Sequence, residues 1–154
     1  MELVARPRLA PGLTLGVVTA LVFAASAPAA GTGAKLSLKV KPNNPAAGSV
    51  YKLKVKGKAL PGGTFGPKHN RSELQVFGQF GADGNGGKCA PDAPSEYYAG
   101  GYLITSRFEK AGKFKFTLKR TATSTRHVTL RFCGYLERNT VAPDKTATTT
   151  YTTK

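Results

Sequence analysis

Two stretches, KLSLKVK at 35–41 and YKLKVKGK at 51–58, alternate between small or apolar side chains and lysine or serine without a slip. Successive side chains on an extended strand point to opposite faces, so this period of two commits both stretches to strands with one dry face and one wet face. A helix would spread the same lysines around its axis. Leu36, Leu38 and Val40 make the dry side of the first strand, and Tyr51, Leu53 and Val55 that of the second. The wet sides carry Lys35, Ser37, Lys39 and Lys41, then Lys52, Lys54, Lys56 and Lys58.

The same period recurs downstream, while no helical period lasts beyond a turn or two. SELQVFGQF at 72–80 is a third predicted strand with Leu74, Val76 and Phe80 inward. EYYAGGYLITSRF at 96–108 is a fourth, interrupted at Gly100 and Gly101, where a bulge or bend is expected. GKFKFTLKR at 112–120 is a fifth, with Phe114, Phe116 and Leu118 inward. RHVTLRFCGYL at 126–136 is a sixth, with Val128, Leu130 and Phe132 inward. The threonine-rich end, TATTTYTTK, has the β propensity for a seventh strand on Ala147, Thr149 and Tyr151, with a tail as the other reading. Glycine and proline mark 60–70 and 81–95 as loops. An all-β chain with about seven short strands and turn signals between them predicts an antiparallel β-sandwich of immunoglobulin-like type.

The N-terminus supplies an address. Arg6 and Arg8 precede an apolar run at 13–25 that ends in ASAPAAG, the order of parts in a secretory signal. That run is short of the 18 or more residues of a spanning helix. The division expected is a signal peptide at 1–30, removed near 27–30, and a sandwich domain at 31–154, secreted and either extracellular or associated with the cell envelope. Removal of the leader takes two arginines and one glutamate, so the net charge of +15 falls only to +14. An excess of this size attracts anions. Export disfavours cytoplasmic nucleic acid as the partner. In an exported chain, the two cysteines, Cys89 and Cys133, are expected to form one disulfide. Cys133 has the opposite parity to Phe132, so without a bulge at Cys133 and Gly134 the bridge would fold the 81–95 loop against the outside of a sheet.

The alanine-rich leader, the strand pair in PNNPAAGSVYKLKVKGKA, Cys89 in a Gly/Pro-rich loop and FCGYLERNT at 132–140 resemble a family of uncharacterised small secreted proteins of actinobacterial type with an Ig-like fold. The resemblance implies an exported, non-catalytic domain and supplies no ligand. The antibody pattern of Cys, Trp and Cys is absent, since the chain has no tryptophan.

With Ig-like connectivity, the first, second and fifth strands are neighbours in one sheet. Lys39, Lys41, Lys52, Lys54, Lys56, Lys113, Lys115 and Lys119 then share one exterior face. Two readings follow. The lysines keep a sheet soluble and discourage edge pairing, or the face binds an anionic envelope polymer or an anionic membrane surface. Contact with other surface proteins, through edge strands and the long loop, is the reading from a different class.

The remaining constellations point to less. Asp83, Asn85 and Asp92 in GADGNGGKCAPD open like a calcium loop, but Gly87 and Pro94 fall where ligands are needed. Tyr97, Tyr98 and Tyr102 offer a sugar-stacking platform, hence a carbohydrate-binding alternative. His69 and His127 lack a paired carboxylate, and the acidic residues are scattered, so no enzyme, cofactor or metal site is predicted.

Overall fold

The computed structural model describes residues 33–81 and 87–154. The predicted signal segment therefore lies outside the described residues. Among the described residues, seven strands and one short helix follow in the order β1 (Lys35–Lys41), β2 (Val50–Ala59), β3 (Ser72–Phe80), α1 (Ala93–Tyr98), β4 (Tyr102–Glu109), β5 (Gly112–Thr121), β6 (Thr129–Glu137) and β7 (Lys145–Thr152). They form two antiparallel sheets, β1-β2-β5 and β4-β3-β6-β7. This is the predicted Ig-like sandwich.

The core lies between the sheets and is built from the dry sides of the alternating strands. Leu36, Leu38 and Val40 of β1 and Tyr51, Leu53 and Val55 of β2 face Leu74 and Val76 of β3, Leu130, Phe132 and Leu136 of β6 and Tyr151 of β7. Full burial of such a side chain stabilises the fold by about 1.5–3 kcal/mol. Tyr51, Phe132 and Tyr151 pack as tilted rings with centroids 4.8–5.9 Å apart. Phe114, Phe116 and Leu118 point inward from β5, as predicted, but remain half-buried because β5 is an edge strand. Gly57 occupies an inward position where a Cβ would lie 2.2 Å from the Phe114 ring and 2.6 Å from the Lys35 carbonyl oxygen. Only glycine leaves room there.

Several local expectations are corrected. EYY is not the start of a strand. Asp92 caps α1, its Oδ1 accepting the Ser95 N–H at 2.8 Å, and Pro94 sits in the first turn. The strand begins only at Tyr102, after the chain turns at Gly100 with φ of 92°. Phe80 is 51 % exposed and stacks on Tyr102 at 5.6 Å instead of joining the core. Val128 precedes β6 and is half-buried, its N–H bonded to Thr153 Oγ1. The register between β3 and β4 shifts at Val76 and Phe77, which leaves Ile104 as the extra residue in β4. The threonine-rich end, by contrast, forms the seventh strand as predicted and pairs along β6.

Candidate functional site

The registers of β2 with both neighbours bring the lysines into rows. Lys41 stands opposite Lys52, and Lys52 opposite Lys119. Lys39, Lys54 and Thr117 make the next row, Ser37, Lys56 and Lys115 the third, and Lys35, Lys58 and Lys113 the fourth. All eight predicted lysines therefore lie on the outer face of the three-stranded sheet, exposed except for the half-buried Lys54. Lys35 and Lys58, not included in the predicted set, complete the same grid. Parity alone would have included them.

Neighbouring strands are about 4.8 Å apart and same-face residues along a strand about 6.7 Å apart. In water, two unit charges about 5 Å apart repel by about 0.8 kcal/mol before screening. Flexible four-carbon stems splay to lower this further. The sheet thus tolerates the grid, and no position within the rows is acidic. The short Ser37 side chain leaves a hollow of about 200 Å³ among Lys39, Lys41, Lys54 and Lys56. A broader depression of about 720 Å³ runs past Lys58 and Lys113 to Lys145 of β7, so the basic surface turns the corner onto the second sheet.

The opposite outer face is covered over β3 and β6, while β4 and β7 leave exposed positions such as Leu103. Cys89 and Cys133 form the predicted disulfide, with Cα atoms 5.6 Å apart. The ladders of β6 run through Cys133 and Gly134 without a shift, so Cys133 faces outward and the bridge ties the chain near Cys89 to the outside of the sheet. Phe77, Ala93 and Tyr135 pack around it. Beneath α1, the buried Glu96 accepts from the Ala90 N–H at 2.8 Å and the Tyr135 hydroxyl at 2.9 Å. Arg131 donates to Gln79 Oε1, and Gln79 donates to the Ala99 carbonyl at 2.6 Å. Burial, together with the negative charge of Glu96, pushes the Tyr135 phenol far above its ordinary range. None of this network was anticipated, because it joins α1 to strands distant in sequence. The two sulfurs and the Glu96 carboxylate lie within 4.8 Å of one another. Bonded to each other, the sulfurs offer no thiolate to a metal.

The other predicted constellations are separated. Asp83 and Asn85 lie outside the described residues, and Asp92 is engaged as the cap of α1. Tyr97 and Tyr98 are 63 % and 86 % exposed and meet edge to face at 5.8 Å, while Tyr102 lies over Gly78 against Phe80. The three tyrosines do not form one platform. His69 and His127 are exposed in separate turns, with φ of 46° and 57°.

The fold defines the class: an Ig-like antiparallel β-sandwich module. Among solved structures, the chain is similar to the CARDB domain of a Pyrococcus furiosus protein, determined in complex with di-metal ions. The TM-score is 0.50 at 12 % identity, covering 79 % of this chain and 87 % of that one. A solution structure of the same domain gives a TM-score of 0.44 at 15 % identity, over 78 % and 94 % of the two chains. The sporulation control protein Spo0M of Bacillus subtilis gives 0.39 at 10 % identity, over 79 % of this chain and 49 % of that one. No family model matches the chain. No curated protein matches it either.

Proposed function

We propose that the protein is an exported, non-catalytic binding module whose lysine-covered sheet face holds an anionic polymer of the cell envelope. The observation that carries this reading is the cross-strand alignment of ten lysines on one face, in rows that contain no acidic position. A polyanion laid across such rows meets several ammonium groups at once and releases its counterions, so many weak contacts sum. The disulfide supports export, because such bonds persist in oxidising compartments. So does the signal-like order of residues 1–30. The secreted family resemblance belongs to the same reading.

The test is binding of the protein to long-chain polyphosphate, with vesicles containing an anionic lipid as the comparison, across a range of salt concentrations. The expected result is polymer binding that weakens steeply as salt rises. Changing Lys52, Lys54, Lys113 and Lys115 together to glutamine should weaken it by about two to three powers of ten, at about 1 kcal/mol for each lysine near an anionic surface. Binding that ignores salt, or that survives the fourfold change, overturns the proposal. Binding to vesicles but not to polymer assigns the face to membrane instead.

A further inference from the structure

The chain carries 23 basic residues against 8 acidic ones, yet three carboxylates on and beside the second sheet form no ion pair among the described residues. Glu73 of β3 stands directly opposite Glu137 of β6, and Asp92 lies beside them at the start of α1. Like charges directly opposite each other on a sheet destabilise it. No Lys or Arg among the described residues forms an ion pair with any of the three. Glu137 is only 9 % exposed, and the Ala93 N–H favours its charged form.

These three groups line a cleft of about 430 Å³ together with Phe65, Tyr98 and Val141. That volume falls in the range of small-ligand sites. Neutral donors satisfy part of Glu73, whose Oε1 accepts from Gln75 and Ser106, each at 2.8 Å. Asp92 is held by the helix cap. The buried Glu137 faces the cleft without a counter-charge among the described residues.

We propose that this cleft binds a primary alkylammonium group, the cationic end of a lysine side chain or of a free amine. An ammonium donates to the Glu137 carboxylate, and Glu73 and Asp92 in the lining of the same cleft add negative charge around it. Its carbon stem suits the apolar walls, and the ring of Tyr98, 86 % exposed, stands at hand for a cation–π contact. A calcium ion would require six or more oxygens, and the apolar walls leave too few. This site is independent of the lysine face, except that the face of a second copy is one source of the ammonium.

Burial first, then the charge of Glu73 and the smaller effects of Asp92 and Asp144, push Glu137 up to about 7, against the lowering effect of the Ala93 N–H. Asp144 is itself paired with Arg138 at 2.8 Å. An amine pairs with the ionised form, so occupancy should increase as pH rises through that value.

The test is calorimetric titration of the protein with 1,5-diaminopentane at low salt, with 1-pentanol and calcium chloride as comparisons. Expected is diamine binding at pH 8, weakened about tenfold at pH 5.5 and about tenfold by Glu137→Gln. Tyr98→Ala, a surface change that leaves the melting temperature in place, should weaken it several-fold. Sedimentation at low salt identifies the source. Self-association lost in both Glu137→Gln and the fourfold lysine variant assigns the ammonium to a second copy, and a monomer that binds the diamine assigns it to a foreign or free amine. No diamine binding at pH 8, equal binding of pentanol, or affinity unchanged in Glu137→Gln overturns the proposal.

Discussion

Arg131 Nη2 and Glu96 Oε1 lie 3.6 Å apart under α1, with side chains 2 % and 1 % exposed. Two charges this deep are costly to desolvate, and their attraction offsets that cost only when hydrogen bonds satisfy what remains. Glu96 is well supplied, but Nε and Nη1 of Arg131 have no partner among the described residues. The pair therefore anchors α1 to the sheet more than it stabilises the fold as a whole.

Removing one partner should be far worse than removing both. Arg131→Met strands the Glu96 carboxylate and is expected to lower the unfolding free energy by about 3–5 kcal/mol. Adding Glu96→Gln to it should recover part of that loss, a coupling that a double-mutant cycle in urea would measure. Additive effects would show that the two side chains do not act as a pair.

The disulfide joins residues 44 apart, and a loop of that size corresponds to about 4 kcal/mol in the chain-entropy model. Replacing Cys89 and Cys133 together by serine should lower stability by about 3–4 kcal/mol and speed tryptic cleavage after the exposed Lys88. Digestion timed with and without a reductant is the direct check on the wild-type chain. Equal rates would mean that α1 and its network hold this segment without the bridge.

Glu137 gives stability a pH dependence opposite to that of a salt-bridged acid. Its native value of about 7 lies above the ordinary 4.5, so the native state holds a proton that the unfolded chain releases. Its contribution is complete below pH 4.5 and is lost as pH rises through about 7, a change of roughly 3 kcal/mol. Glu137→Gln should flatten this part of the profile, as measured by urea unfolding at pH 4.5, 6 and 8. A profile unchanged by the substitution would assign the slope to other groups.

Particular residues show how far sequence alone reached. Leu53 and Lys54 were legible as core and surface because side-chain parity is a local property of an extended backbone. The outward direction of Cys133 followed from the same parity. The helix α1 has signals of its own in Asp92 and Pro94, but the β propensity of Tyr97 and Tyr98 and the strand that follows them point the other way. Phe80 kept the parity of a core residue and still stayed largely exposed, because burial depends on the depth of the facing sheet at that point.

Period two by itself determined that this chain makes strands, which of their sides are greasy, and that its lysines fall on the sides facing water. That β5 joins β1 and β2 was expected only on the assumption of Ig-like connectivity, and only the tertiary structure decided the register that sets the lysines in rows and that Glu73 meets Glu137 across a ladder. The physical reason is that parity is set within a single strand, whereas register is set by how two sheets close over a shared core, and charges far apart along the chain become neighbours only through register.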